Sequence, residues 1–425
     1  MRMKRWKQWT GMGLLFCLLL SACTTEKEEP ASVPVPNPEP AELGQTLTVV
    51  PTESAKAAAE DPSQYQIQTR LTDFQLLSGT TGIAWGLTRN ELRMYLTEDN
   101  GKTWVNISPA SNVQFPDNLK YGRDLYFKDR MNGWVVRNAS GTSETIVLHT
   151  SDGGGSWKVA SIPDKNKVTS IFFDSDHVGW IMLTAESSTG KQDKTLYKTE
   201  DGGAKWKMVM HNYISSNQTS TQGAIPPLGY AMGMTFTSPA KGFAMIQELG
   251  VPKLYRTQDG GGEWSEGPAF FNRDKLASCS GFIPSSPEFF DTSNTEGWIP
   301  VGCQVGDSAK YNGFFTKDQG QTWTFAPFNL GWNKGVNQSL RPSFINSTQG
   351  WALVGNLMYH TEDQGKTWMP LPASRVLTSI LKEYPEVGKL QFSSQRVGWM
   401  LVMKNDEMRS RLLQTIDGGI TWKVL

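Results

Sequence analysis

Residues 361–370 read TEDQGKTWMP, a polar run of turn-forming residues that ends on a tryptophan. The phrase Thr-x-Asp-x-Gly-x-x-Trp recurs as TEDNGKTW ending at Trp104, TSDGGGSW at Trp157, TEDGGAKW at Trp206, TQDGGGEW at Trp264, TKDQGQTW at Trp323 and TIDGGITW at Trp422, with Trp368 closing the copy quoted first. In each copy the aspartate (Asp99, Asp152, Asp201, Asp259, Asp318, Asp363, Asp417) is placed to accept hydrogen bonds from N–H groups of its own turn. The threonine can do the same more weakly, and the glycine meets the corner's need for positive φ. The tryptophan, first on the returning strand, is expected to wedge its apolar body between neighbouring modules.

A second phrase precedes each of these corners: TGIAWGL at Trp85, MNGWVV at Trp134, HVGWIML at Trp180, AKGFAMI at Phe243, TEGWIPV at Trp298, QGWALV at Trp351 and RVGWMLV at Trp399. Between corners the pattern is of four short strands: an alternating one such as KLQFSS, a glycine turn into GWMLV, a third like LLQT, then the box and a fourth. Four-stranded antiparallel units repeated every 45 to 59 residues are predicted to be blades, and seven of them close an all-β, seven-bladed β-propeller.

These octapeptides resemble the Asp-box, or BNR, repeats of bacterial sialidases, sortilin-type receptors, xyloglucanases and photosystem II assembly-factor-like propellers. The resemblance covers about residues 65–425, and the combined GW and T-x-D-x-G-x-T-W rhythm is most similar to the last group. It implies that the box is a structural corner and that ligands meet the opposite face. Lys205 and Glu263 stand where the usual residue before the tryptophan is Thr or Ser, which is expected to weaken those two corners.

The chain begins with a basic stretch, the apolar run GMGLLFCLLL and then LSAC, which reads as an export signal too short for a comfortable membrane span. Leu20–Cys23 resembles the bacterial lipobox, so residues 1–22 are expected to be a lipoprotein signal peptide and Cys23 the lipidated residue. Residues 23–63 are rich in proline and poor in large apolar side chains, and are expected to form a disordered tether with a reach on the order of 100 Å. Residues 64–425 carry the propeller. Cys279 and Cys303 permit two readings, a disulfide suited to an exported chain or a buried reduced pair, and the export argument favours the disulfide.

Lys plus Arg and Asp plus Glu number 41 each, and four of the cations precede residue 11, so cleavage leaves an acidic excess that argues against nucleic-acid binding. There is no GxSxG elbow, HExxH pair or phosphate-binding loop, and the four histidines are dispersed. No cofactor is expected, nor a metal, since box aspartates spaced one per blade cannot converge on one ion. Candidate ligand-binding residues lie on the variable connectors: Tyr121 and Arg123, then Trp332, Lys334 and Arg341. Trp332 is either an exposed platform or a lid on its own blade. Candidate acids are Asp124, Asp274, Glu288 and Glu383, but no Arg-Ile-Pro phrase of the sialidase kind occurs, and the first repeat's GTTGIAWGLTRNELR offers nothing equivalent. The expected protein is therefore a non-catalytic, monomeric binding platform, lipid-anchored outside the cytoplasm of a bacterium and engaging a protein or a cell-envelope polysaccharide. The alternative is a secreted glycan-active hydrolase with divergent catalytic loops.

Overall fold

A computed structural model describes residues 69–109, 115, 118–138, 143–213 and 223–425, together with the backbone of Leu47–Val49. The signal, Cys23 and the remainder of the tether lie outside the described residues. Leu47–Val49, within the tether segment, forms a short strand antiparallel to Trp157–Val159.

The described chain is nearly all β, and its seven four-stranded antiparallel sheets form a seven-bladed propeller. The blades span residues 71–106, 125–162, 167–211, 230–266, 281–326, 343–370 and 386–424. Each takes four strands in sequence order from innermost to outermost; blade five splits its inner strand in two and adds the pair Asn333–Lys334 against Ser308–Ala309. The one α-helix among the described residues, α1 (Arg375–Glu383), is capped by Ser374 and links blades six and seven. No helix among them is long and apolar enough to cross a membrane.

This strand order sorts the loops. Hairpins joining first to second strands share one face of the ring with the Asp-box turns between third and fourth. Hairpins joining second to third strands share the other face with the blade-to-blade connectors.

Seven buried apolar clusters correspond one to one with the seven seams, each drawing side chains from two adjacent blades. Sequence explains their recurrence. The inner strand typically ends in phenylalanine, whose ring lies over the glycine that opens the next strand, so that a Cβ on Gly242 would meet Phe236 at 2.5 Å. That ring also stacks on the tryptophan of the preceding blade: Trp134 on Phe173 at 3.5 Å, Trp180 on Phe236 at 3.6 Å and Trp351 on Phe392 at 4.2 Å between centroids. The same indoles donate across the seam to a box carbonyl, Trp134 to Gly202, Trp180 to Gly260 and Trp351 to Gly418.

Closure between blades seven and one uses the same device. Trp399 donates its Nε1–H to Asn100 Oδ1 of the first box at 2.9 Å, and Gln391 Oε1 accepts from the Leu76 backbone at 2.9 Å. The last blade is completed by its own Lys423–Val424, and among the described residues side chains, not an exchanged strand, shut the ring.

Candidate functional site

The box corners make the bonds that their residue types allow. Asp363 accepts from the Thr361 hydroxyl at 2.9 Å, the Thr367 backbone at 2.9 Å and the Thr367 hydroxyl at 2.6 Å, while Thr361 Oγ1 accepts from Gly365 N. Partial burial opposes ionisation of Asp363, but these bonds prevail and hold its pKa below the ordinary value. At Lys205 and Glu263 the backbone bonds to Asp201 and Asp259 persist at 2.9 and 3.0 Å. The box indoles all enter seam clusters. Trp157, Trp206, Trp264 and Trp422 donate to backbone carbonyls, whereas Trp323 and Trp368 find no acceptor among the described residues. This face is occupied with holding the ring together.

The inner strands enclose a cavity of about 1020 Å³ lined by all seven blades. Its lining runs from connector-face residues (Lys120, Arg123, Lys167, Tyr230, Arg341) to box-face residues (Lys128, Asn294). Four inner strands carry a register shift, at Leu71/Asp73, Val168/Ser170, Ala231/Gly233 and Val387/Lys389. An extra residue re-aims the side chains that follow. One result is Lys389, whose ammonium bridges to blade one: it donates to Phe74 O at 2.6 Å and Gln75 Oε1 at 2.9 Å and lies 3.5 Å from Asp73. Burial pushes its pKa down and the Asp73 charge opposes this.

A second bridge joins blades six and five. Arg341 pairs with Glu288, whose other oxygen accepts from Trp298 Nε1 at 3.2 Å. Burial works against the guanidinium, but the Glu288 charge and hydrogen bond, with Tyr311 and Asp73, together outweigh it and raise the Arg341 pKa. With 39% of the arginine side chain still open to the channel, screening keeps the net stabilisation of this pair small. Tyr121 stacks on Tyr126 at 5.5 Å and donates to Phe127 O at 2.7 Å, and burial pushes its hydroxyl pKa up.

The structure thus brings Tyr121, Arg123 and Arg341 together at the channel and leaves Trp332 and Lys334 apart. Trp332 packs on the core of blade five with Lys310 Nζ 5.4 Å from its ring, and Lys334 is an exposed edge residue. Of the acids, Glu288 lines the channel, and Asp124 is held by Arg123 at 2.6 Å. Asp274 lies on a 3₁₀ turn, and Glu383 at the end of α1 pairs with Arg409 at 3.0 Å. Cys279 and Cys303 form a disulfide that ties the connector after blade four to the second strand of blade five. Among the described residues no three His, Cys, Asp or Glu side chains converge as metal ligands.

The connector face carries a feature that composition did not point to. Of 14 exposed large apolar side chains among the described residues, seven lie there: Tyr213, Tyr230 at the channel rim, Leu249, Val305, Val336, Val376 and Met408. Met232 lies within the channel, Ile416 and Ile420 lie on the box face, and the other four are on outer strands. Leu249 and Met408 also sit at φ 49° and 53° on hairpin tips, the two apolar side chains among eight non-glycine described residues with positive φ. Leu249 is 82% exposed and Met408 63%.

A family model described as Sortilin-Vps10, "Sortilin, neurotensin receptor 3", matches residues 92–227, under half of the chain. The fold is that of a BNR-type propeller. No curated protein sequence matches the chain. Among solved structures it is similar to a family 74 xyloglucanase from Xanthomonas campestris (11% identity over 83% of this chain and 72% of that one, TM-score 0.33). It is similar also to an α-L-arabinanase from Penicillium chrysogenum (12%, 90% and 100%, 0.38) and to TolB from Acinetobacter baumannii (14%, 68% and 62%, 0.38). Likenesses of this degree say nothing of activity.

Proposed function

We propose that the protein is a non-catalytic binding platform, lipid-anchored outside the cytoplasm through Cys23, that docks a partner protein on its connector face. The observation that carries this reading is the uneven distribution of exposed apolar side chains among the described residues, seven on that face against two on the box face. Isolated exposed apolar residues are ordinary, but a concentration on one face of a rigid ring has the composition of an interface core awaiting cover. Leu249 adds a second argument. A leucine in the left-handed region is disfavoured by about 1–2 kcal/mol, and its Leu-Gly turn is of the kind that Asn-Gly fits best. Strain of this sort, at a residue exposed to water, is expected where a site rather than the fold sets the residue.

Anchoring rests on the LSAC sequence, and the TolB likeness adds nothing to it. The hydrolase reading requires two carboxyl groups free to exchange protons near the substrate. The acid that lines the channel and the two beside its lining have other engagements: Glu288 with Arg341, Asp73 with Lys389 and Asp124 with Arg123.

The test is site-specific photo-crosslinking in the exporting cell. A photoreactive residue at Leu249 or Met408 is expected to give a discrete protein adduct, and one at Ile416 or Ile420 none. Equal adducts from both faces, or turnover of a glycoside panel abolished by Glu288→Gln, would replace the platform with the alternative.

A further inference from the structure

We infer that the central channel is a second binding site, separate from the docking face, for a linear anionic glycan carrying carboxylate or phosphate groups. The charge of its lining is one-sided. Six cations line it (Lys120, Arg123, Lys128, Lys167, Arg341 and Lys389) against the single carboxylate of Glu288. Arg123, Arg341 and Lys389 are each neutralised by an adjacent acid, as described above. Lys120, Lys128 and Lys167 have no ion-pair partner among the described residues; Asp174 senses the Lys128 charge but makes no ion pair with it.

These three lysines belong to one wall, formed by blades two and three. Lys120 and Lys167 stand at its connector-face end and Lys128 at its box-face end. The inner strand Lys167–Phe173 has seven residues, so the wall is roughly 20 Å long at about 3.3 Å per residue. A cleft lined by one sign of charge between low-dielectric walls focuses its field on the space within and concentrates the opposite charge there. A string of spaced anions fits that field better than one compact ion.

The rest of the lining chooses between kinds of polyanion. Among the lysines lie the Tyr121, Tyr126 and Phe172 rings, packed on one another at 5.5 and 5.4 Å, an apolar stretch of lining against which the C–H groups of a sugar can pack. Neutral polar groups complete the lining: Ser286, Thr169 with its hydroxyl bonded to Thr184, Gln192 with its oxygen bonded to Ala231 N, and Asn294 with its amide bonded to Thr237 O, whose remaining donors and acceptors suit hydroxyl groups. An acidic peptide would bind such inner edges by adding a strand. Here those edges are broken by four register shifts, by the division of the blade-five strand at Ser285–Pro287, and by inner strands of three residues in blade two and two in blade six. No long edge is left to pair.

The experiment is fluorescence anisotropy with the full chain in detergent. Its probes are labelled oligogalacturonate, an oligomer of glycerol phosphate, a neutral oligosaccharide of matched length and polyglutamate. Salt is set at about 0.01 M and about 0.15 M, where screening lengths are roughly 30 Å and 8 Å. One or both anionic glycan-type probes are expected to bind at low salt and weaken at high salt, the tighter one identifying carboxylate or phosphate as the recognised group. Replacing Lys120, Lys128 and Lys167 together by glutamine is expected to weaken that binding about tenfold or more. The box-face control pair Lys102→Gln and Lys366→Gln is expected to leave it unchanged, with melting curves showing that every variant is folded. Failure of both anionic probes, equal binding of the neutral probe, tighter binding of polyglutamate, or wild-type affinity in the triple variant would each overturn the assignment. None of these outcomes bears on the crosslinking test of the docking face.

Discussion

The two faces of the ring treat polar and apolar groups in opposite ways. On the box face the turn aspartates have internal partners and the large indoles are driven inward. On the connector face apolar side chains stand in water, two of them in backbone conformations that disfavour them. The lesson is that the repeat does the building, and the departures from it do the presenting. Removing parts from the first face should unfold the protein; removing them from the second should leave it folded and functionally silent.

Acid should break the comparison most severely. Six box carboxyls (Asp99, Asp152, Asp259, Asp318, Asp363, Asp417) have folded pKa values below the ordinary 3.8, because bonds from turn hydroxyls and N–H groups outweigh partial burial. Their contribution is therefore present above that value and lost as pH falls through the lower folded values. His149, stacked on Trp134 at 4.7 Å, is held down to about 4 from 6.5, chiefly by burial. Its share of stability declines across the window from 6.5 to about 4. Melting temperature followed by near-ultraviolet circular dichroism should slope gently downward over that window and collapse below it. An unchanged melting temperature at pH 3 would show that the corners do not hold the ring.

Next in size is the seam. Trp180 is fully buried, stacked on Phe236 and bonded to Gly260, so Trp180→Ala should cost about 4 kcal/mol in denaturant titration. Leu249→Ala, with its side chain in solvent, should change stability by less than about 0.5 kcal/mol. Similar losses from both would erase the distinction between the faces.

That contrast also explains what could be read from the sequence. Corners and seams were legible because the box is local: its donors and acceptors lie within four residues, and one phrase written seven times gives the ring. Tyr121, Arg123 and Arg341 were legible as connector residues, since strand order alone places connectors around the channel. Trp332 was not, because a glycine-flanked indole outside the repeat has the same sequence whether it packs on Phe314 and its neighbours or projects into water. Lys389 was missed because simple alternation along KLQF takes no account of the extra residue at Val387/Lys389 that turns it to the channel. Leu249 was missed because its meaning lies in a φ angle.

Within the box face a smaller comparison sharpens the account of the corners. Asp363→Ala removes three accepted bonds, including one from the Thr367 hydroxyl, and should cost about 2 kcal/mol. Asp259 also accepts three bonds, from the Thr257 hydroxyl and from the Gly262 and Glu263 backbone N–H groups, because Glu263 supplies no hydroxyl. Asp259→Ala should therefore cost about as much in parallel urea titrations, and a clearly smaller loss would mean that the Gly262 bond does not replace the missing hydroxyl.

The smallest effect has the opposite sign. Leu249 and Gly250 form a two-residue hairpin tip with φ of 49° and 79°, a turn that Asn-Gly adopts with less strain. Leu249→Asn should therefore raise stability, by about 1 kcal/mol, while removing the most exposed apolar side chain of the connector face. If the leucine is present for docking, the variant should melt higher and lose the adduct formed from a photoreactive residue at Met408. A gain in stability with the adduct retained would leave the strain without a docking role. No gain would mean that the tip relaxes around leucine and that the backbone angle signals nothing. Only the pairing of a firmer fold with a lost partner supports the view that stability was given up at this tip for contact with another molecule.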